Sequence, residues 1–342
     1  MTTSAVAAAS FCGTTIVLHI VSIIVAAWRC RPRPVAKSTT ALPPVSLVRP
    51  ICGLDNFLEE TLRTSFELAY PTYELIFCVA STRDPAIAVV QELIAAYPQS
   101  RARLLVGDDR VSNNPKLNNC VKGWQAAQHG WIAIADSNVM MPPDYIQRLL
   151  AAWKPDTGLV CSPPVGCRPI GFWAGLECAF LNTYQVRAQY FVDTLGFGFA
   201  QGKTMLWRRG DLEAAGGIRA LGAEPAEDAA STKIVRAAGL RVRLTDLPVG
   251  QPLGRRRMTE MAAANSLGTA ASPLLPAVFR AGNSRRCDFS AHRRRICGQR
   301  GRHIDLRHGC GTVNRLVRRR SRTGEGGALV SGAALSTPGS AA

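Results

Sequence analysis

Short apolar runs alternate along the chain with segments of helical spacing. Five runs have the length and composition of buried strands: residues 45–48, 73–80, 102–107, 131–136 and 158–162. Between them, apolar residues recur at helical spacing over residues 57–68, 86–96, 117–128 and 144–153. Strand–helix alternation at this pitch predicts an α/β fold, with a largely parallel sheet covered by helices on both faces.

The second half of the chain continues this pattern and then loses it. A longer helical stretch over 171–192 is followed by a strand at 203–209, a helix at 226–238 and a strand at 241–246. After Arg257 the alternation stops, Trp and Tyr no longer occur, and Arg, Gly, Ser and Ala dominate. We therefore predict one folded domain over 45–257 and a tail over 258–342 that lacks a packed core.

The N-terminus carries a membrane signal. Residues 5–28 contain no Asp, Glu, Lys or Arg, and 24 residues suffice to cross a hydrocarbon core of about 30 Å as a helix. Arg29, Arg31, Arg33 and Lys37 follow within a proline-rich linker over 29–44, which predicts by the positive-inside rule that everything after Trp28 lies in the cytoplasm. A cleaved signal peptide would need a basic start and a shorter apolar core. We expect a single-pass anchor in the cell's inner (plasma) membrane.

Charge and cysteine content refine the picture. The net charge of +17 belongs mostly to residues 251–342, which carry 17 Arg, no Lys and 4 acids. Eleven scattered cysteines form no C-x-x-C pair, so we expect reduced thiols instead of a disulfide framework or a zinc site.

Two predicted helix starts carry candidate ligand-binding residues. Asp84 precedes Pro85, and an aspartate before a proline at the first helical position is also a common N-cap. Lys116 and Asn118 lie at the start of the next helix, where free backbone N–H groups and the helix dipole attract anions. A phosphate contact by Lys116 and simple capping both remain open at this point.

Acids at a strand end and at a later helix start are the remaining candidates. Asp136 and Asn138 follow the buried strand 131–136 two residues apart, so both can face one metal ion. Mg²⁺ or Mn²⁺ bound to a diphosphate prefers such a small set of protein oxygens. Glu227 and Asp228 open the helix at 226–238, where a carboxylate could act as a general base or simply favour the helix dipole.

Several motifs occur together in a fixed order: "RDPAI", "NPKLNN", "ADSN", "CSPPVG", "GFGFAQGKTMLWRR" and "AEDAASTKIVRAAGLRVRL". With the N-terminal anchor, they resemble the ceramide glucosyltransferase family, and most closely its bacterial branch, which includes hopanoid-biosynthesis glycosyltransferases. The resemblance covers roughly residues 44–256.

The resemblance implies a GT-A fold and a membrane-bound, inverting transfer of a sugar from a UDP-sugar to a lipid hydroxyl. It implies that Asp84 helps to hold the nucleotide, that Asp136 binds the metal and diphosphate, and that Asp228 is the base. Lys116 and Asn118 are expected to assist nucleotide-sugar binding, and Asn138 to join Asp136 at Mg²⁺ or Mn²⁺. The expected partners are a UDP-sugar, a ceramide- or hopanoid-like lipid and the membrane, with no specific nucleic acid.

One departure from the family follows Arg256. The family continues into a Q/R-x-x-R-W motif and apolar segments, whereas this chain has no Trp after Trp207. We hypothesise a frameshift near residues 258–264. Two alternatives stay open: a relic that binds the UDP-sugar without transfer, and a basic tail that binds nucleic acid or anionic lipid through its charge.

Overall fold

The computed structural model describes residues 2–31 and 42–260. Its strands are β1 Val45–Ile51, β2 Tyr73–Val79, β3 Ala102–Val106, β4 Trp131–Ala135, β5 Thr157–Cys161, β6 Pro164–Ile170, β7 Thr204–Arg208, β8 Arg241–Leu244 and β9 Val249–Arg255. Its α-helices are α1 Thr3–Arg29, α2 Leu58–Arg63, α3 Ala86–Ala96, α4 Pro115–Ala126, α5 Tyr145–Ala151, α6 Phe172–Phe180, α7 Val186–Thr194, α8 Arg209–Ala214 and α9 Glu227–Ala237. A π-helical turn, Leu181–Gln185, joins α6 to α7, and a 3₁₀ helix spans Ile218–Ala223.

A seven-stranded sheet in the order β3-β2-β1-β4-β7-β5-β8 forms the centre. All its pairings are parallel except those of β7, which runs antiparallel to β4 and β5. The strand order reverses between β1 and β4, and ligands of open α/β sheets bind at such a switch point, beyond the carboxyl ends of the strands. The predicted α/β class, with a mostly parallel sheet, is confirmed.

Alternating side chains of the strands pack against helices on opposite faces. Leu47 and Phe77 belong to the cluster beneath α2, α3 and α5, whereas Val48 and Ile76 belong to the cluster beneath α4, α7 and α9. Gly123 lets α4 approach the sheet closely, since a Cβ there would lie 2.5 Å from the Val48 side chain. The sheet is therefore buried on both faces, as its continuous apolar strands predict.

The predicted helices differ from the structure mainly at their ends. α3 has the predicted bounds, whereas the helix predicted over 57–68 ends at Arg63. Beyond it the chain turns, and the backbone N–H of Ala69 donates to the carbonyl of Pro143 near α5. The stretch predicted as one helix over 171–192 is continuous through the π turn to Thr194.

A second, two-stranded parallel sheet of β6 and β9 was not predicted. Pro164, Pro169 and Pro252 lie within these strands, and proline is normally confined to sheet edges because it lacks an N–H donor. The pair packs against α6 through Ala174, Leu181 and Leu253. It forms one wall beside the switch point of the main sheet.

The predicted anchor coincides with α1, which has the length and hydropathy to cross a membrane. The end of α1 contacts α7: Arg29 pairs with Asp193 at 3.0 Å and lies over the Tyr190 ring. Most of the predicted linker and of the predicted tail, residues 32–41 and 261–342, lies outside the described residues. Most of the segment 258–264, to which the frameshift hypothesis refers, lies outside them as well.

Candidate functional site

A buried arginine on the neighbouring strand β1 holds the turn after β4 in place. Arg49 on β1 is fully buried and donates to the carbonyl oxygens of Asp136 at 2.7 Å and Val139 at 2.9 Å. It also donates to the Thr61 carbonyl at 2.9 Å. Burial lowers the pKa of Arg49 to about 10, which still leaves it charged at neutral pH. Arg49 thereby holds the backbone of the turn at Asp136 and Val139 in place.

Two lysines bind that carboxylate. The Nζ of Lys116 lies 2.7 Å from Asp136 Oδ1, and the Nζ of Lys203 lies 3.0 Å from Asp136 Oδ2. Lys116 also pairs with Glu227 Oε1 at 2.6 Å and donates to the Gly202 carbonyl at 2.5 Å. Charged side chains from three other segments, those of Lys116, Lys203 and Glu227, therefore meet near Asp136 at the end of β4.

The beginnings of α4 and α9 hold this cluster in place. The Asn114 side chain caps α4 by accepting from the backbone N–H groups of Lys116 and Leu117. Its Nδ2 donates to Glu227 Oε2 at 2.7 Å, which ties the start of α4 to the start of α9. Gly202 leaves the room required, because a Cβ there would lie 2.8 Å from Glu227 Oε1.

Electrostatic effects on the cluster oppose one another. Burial raises the pKa of Asp136, but the charges of Lys116 and Lys203 outweigh it and hold the pKa below the usual range. Burial likewise acts against ionisation of Glu227, yet Lys116 holds its pKa below the usual value. Both carboxylates are therefore ionised at neutral pH, and the charges of the neighbouring lysines keep them ionised.

Asp228 differs from its two neighbours. Burial raises the pKa of Asp228, and the adjacent charge of Glu227 raises it further. Its Oδ1 accepts the N–H of Ala229 at 2.8 Å, and no lysine or arginine pairs with it among the ion pairs of the described residues. A carboxylate in this state binds a proton more readily than an ordinary aspartate.

These groups line one cavity of about 530 Å³. Asn114, Lys116, Asp136, Gly202, Lys203, Glu227 and Asp228 line it together with Glu177, Leu181, Gln185 and Gln251. Its charged side chains are four carboxylates and two lysines, a net charge of −2. The structure therefore brings three sequence-predicted residues, Lys116, Asp136 and Asp228, into one cleft.

The other predicted residues, Asp84, Asn118 and Asn138, do not line this cavity. Asp84 accepts from the backbone N–H of Gly53, at 2.9 Å, and of Ala86, which joins the loop after β1 to the start of α3. Asn118 uses both ends of its amide on the backbone of residues 111–112. Asn138 accepts from Lys203 Nζ at 3.1 Å and donates to Asp55.

Three residues that matter here were not assigned to the site from sequence. Lys203 was grouped with a strand, and Arg49 lay just past a predicted strand end. Glu227 was considered with Asp228 as a possible base or a helix-dipole residue, but only Asp228 was assigned to the site. A signal for Arg49 was available, because a charged residue inside an apolar strand requires partners. Lys203 and Glu227 gave no such signal, since their partners lie 67 and 111 residues away in the chain.

Comparison with known proteins identifies the chain's relatives. The family profile described as "Glycosyl transferase family 21" matches residues 14–266. The chain belongs to this glycosyltransferase family. The match covers the second half of α1 and every strand of both sheets, and with the curated relatives it confirms the resemblance to ceramide glucosyltransferases.

Two curated relatives of this family 21 protein come from a nematode. It is 28% identical over 243 residues to ceramide glucosyltransferase 1 of Caenorhabditis elegans, covering 70% of this chain and 52% of the relative. It is 30% identical over 213 residues to ceramide glucosyltransferase 3 of the same organism, covering 62% and 46%. The chain thus spans about half the length of the curated relatives it matches.

Solved glycosyltransferases show a weaker likeness. The mannosyltransferase of Pyrobaculum calidifontis, solved in complex with GDP-Man and Mn²⁺, aligns at a TM-score of 0.48 with 18% identity. The alignment covers 68% of the family 21 chain and 63% of the mannosyltransferase.

Proposed function

We propose that this protein is a membrane-anchored, inverting glycosyltransferase that moves a sugar from a UDP-sugar to the hydroxyl of a ceramide- or hopanoid-like lipid. Family membership supports sugar transfer, and the ceramide glucosyltransferase relatives support a lipid acceptor. The observation that carries the proposal is the cleft in which Asp228 lies beside the Lys116–Asp136–Lys203 cluster.

Asp228 has the properties of a general base. It lines the cleft, and burial followed by the charge of Glu227 raises its pKa toward the working pH. A base whose pKa lies nearer the working pH takes a proton more effectively in the transition state. Asp228 would remove the proton of the acceptor hydroxyl as that oxygen attacks the anomeric carbon.

Asp136 and Asn138 suit a divalent cation. Their side-chain oxygens already converge on one positive centre, the Lys203 ammonium, at 3.0 and 3.1 Å. No group of three His, Cys, Asp or Glu within residues 2–31 and 42–260 could hold a metal ion. Mg²⁺ or Mn²⁺ often takes only one or two carboxylates and completes its shell with substrate phosphates.

Charge balance supports the same cation. A diphosphate entering a cleft whose side chains carry a net −2 would meet repulsion that a divalent ion relieves. When bound, the ion would supply positive charge that stabilises the departing UDP. Once released from Asp136, Lys116 and Lys203 would contact the diphosphate. Asp84 and Asn118 would support nucleotide binding by ordering the loops to which they are hydrogen-bonded.

Exposed apolar side chains support contact with the membrane. Phe172 on α6 is 73% exposed, and Leu195 and Phe197 just after α7 are 57% and 67% exposed. The α7 helix also contacts the end of α1, so Leu195 and Phe197, which directly follow α7, lie near the end of the apolar helix. We place the protein in the inner membrane with its cleft on the cytoplasmic side.

UDP release from UDP-glucose, measured with a short-chain ceramide and Mg²⁺ or Mn²⁺, tests the proposal. Asp228→Asn should abolish release while leaving UDP binding intact, and Asp136→Ala should weaken both. Glu59→Gln, an exposed change outside the cleft, is the control. An unchanged rate in Asp136→Ala would refute the site, and UDP binding without any release in the unmodified protein would favour the relic.

A further inference from the structure

Two buried side chains in the cleft carry oxygens that nothing in the described part of the chain satisfies. Glu177 on α6 is 3% exposed, and Gln251 on β9 is 5% exposed. Glu177 Oε2 and Gln251 Oε1 have no hydrogen-bond donor among the described residues. Both residues line the same cavity as Asp228.

The nearest positive charge does not satisfy Glu177. Arg256 Nε lies 3.6 Å from Glu177 Oε2, beyond hydrogen-bonding distance, and the same guanidinium also lies 3.3 Å from Asp55. Burial accordingly raises the pKa of Glu177 despite this arginine. Buried acceptors without a donor are uncommon in folded proteins, and each one calls for a specific reason.

The residues around these oxygens would suit the head group of an amphiphilic ligand. Leu181 and Pro164 line the cavity next to them, and Leu181 begins the π turn between α6 and α7. Turns of this kind often accompany functional sites. On the outer side of the same α6 helix, Phe172 and Leu176 are exposed. The buried acceptor oxygen of Glu177 and these exposed apolar side chains thus belong to one helix.

A phosphate does not suit these groups. Both orphan atoms are acceptors, and a carboxylate repels the diphosphate of a sugar nucleotide. What they can bind is a group that donates O–H or N–H hydrogens.

We propose that Glu177 and Gln251 bind the head group of the lipid acceptor and select lipids with at least two O–H or N–H donors besides the reacting hydroxyl. This inference rests on the proposed function, which places a lipid hydroxyl at Asp228. An N-acyl sphingoid base meets the requirement, since it keeps one hydroxyl and one amide N–H after the reacting hydroxyl is counted. A diacylglycerol has no donor left.

Equilibrium binding to the purified full chain in detergent tests the selection without needing turnover. Isothermal titration with N-hexanoyl-sphingosine and with dioctanoylglycerol should show that the sphingoid lipid binds roughly tenfold tighter, as expected for two satisfied hydrogen bonds. Glu177→Gln and Gln251→Leu should each remove most of that preference, leave diacylglycerol binding unchanged and not weaken UDP binding. Glu59→Gln should bind both lipids like the unmodified protein.

The outcomes separate cleanly. Equal binding of the two lipids by the unmodified protein, or unchanged sphingoid binding in both variants, overturns the inference. Loss of UDP binding in parallel with lipid binding would also overturn it, because it would assign these residues to the donor side. Selective lipid binding without any UDP release would support the inference while contradicting the proposed transfer.

Discussion

Replacing Lys116 by methionine tests the charge cluster at the end of β4. The ammonium of Lys116 neutralises two carboxylates at once, Asp136 at 2.7 Å and Glu227 at 2.6 Å. Asp136 would keep its contact with Lys203, whereas Glu227 would keep only the amide of Asn114. The substitution therefore leaves at least one largely buried carboxylate without a counter-charge.

The size of the effect follows from the burial of the partners. The side chains of Lys116, Asp136 and Glu227 are 25%, 19% and 11% exposed, so solvent screens these pairs only in part. Breaking a buried ion pair costs roughly 3–5 kcal/mol, and the partial exposure points to the lower limit of about 3 kcal/mol. For a domain of this size that corresponds to a melting temperature lowered by roughly 6–12 °C.

Thermal unfolding in detergent micelles, followed by tryptophan fluorescence, measures the change. Lys233→Met is the matched control, because Lys233 forms a single, exposed pair with Glu224 whose loss should cost about 1 kcal/mol or less. The difference between wild type and Lys116→Met should also depend on pH. The cluster holds the pKa of Asp136 and Glu227 below their usual values, so its stabilisation is complete at pH 7 and is lost as pH falls below about 4.

Two results would refute this reasoning. A melting temperature for Lys116→Met within the range of the Lys233→Met control would show that the cluster behaves as an ordinary surface pair. A difference between variant and wild type that stayed constant as pH fell from 7 to about 2, below the usual pKa of both carboxylates, would show that the loss does not arise from ionised carboxylates.

Three further perturbations have defined outcomes. Arg49→Met should lower the free energy of unfolding by roughly 3 kcal/mol in a urea titration, since several acceptors lose their donor at about 1 kcal/mol each; a loss below 1 kcal/mol would contradict the role given to Arg49. Glu227→Gln should move the acidic limb of the kcat/KM profile to lower pH, because Glu227 raises the pKa of Asp228; a limb moving to higher pH would exclude Asp228 as the base. Phe172→Ser combined with Phe197→Ser should slow transfer to vesicle-embedded lipid and spare a micellar short-chain lipid, and equal slowing of both would contradict the membrane contact.

The sequence alone determined most of the local structure. Alternating apolar runs and helical spacing predicted the strands of the main sheet, and α3 has the predicted bounds, because those patterns report how each segment buries its own apolar face. The apolar helix α1 and the acid at the end of β4 were predicted on the same grounds. Hydropathy and the positions of strand ends are local properties, so each can be predicted from the residues of one short segment.

The tertiary structure decided how distant segments meet. β7 runs antiparallel to β4, so its first residues lie at the carboxyl end of β4, and Lys203 reaches Asp136 only for that reason. Glu227 meets Lys116 because α4 and α9 begin at the same edge, and the β6–β9 pair brings Gln251 to the cleft in spite of its prolines. Strand direction and helix placement depend on packing across the whole sheet, and no single segment of the sequence determines the energy of that packing.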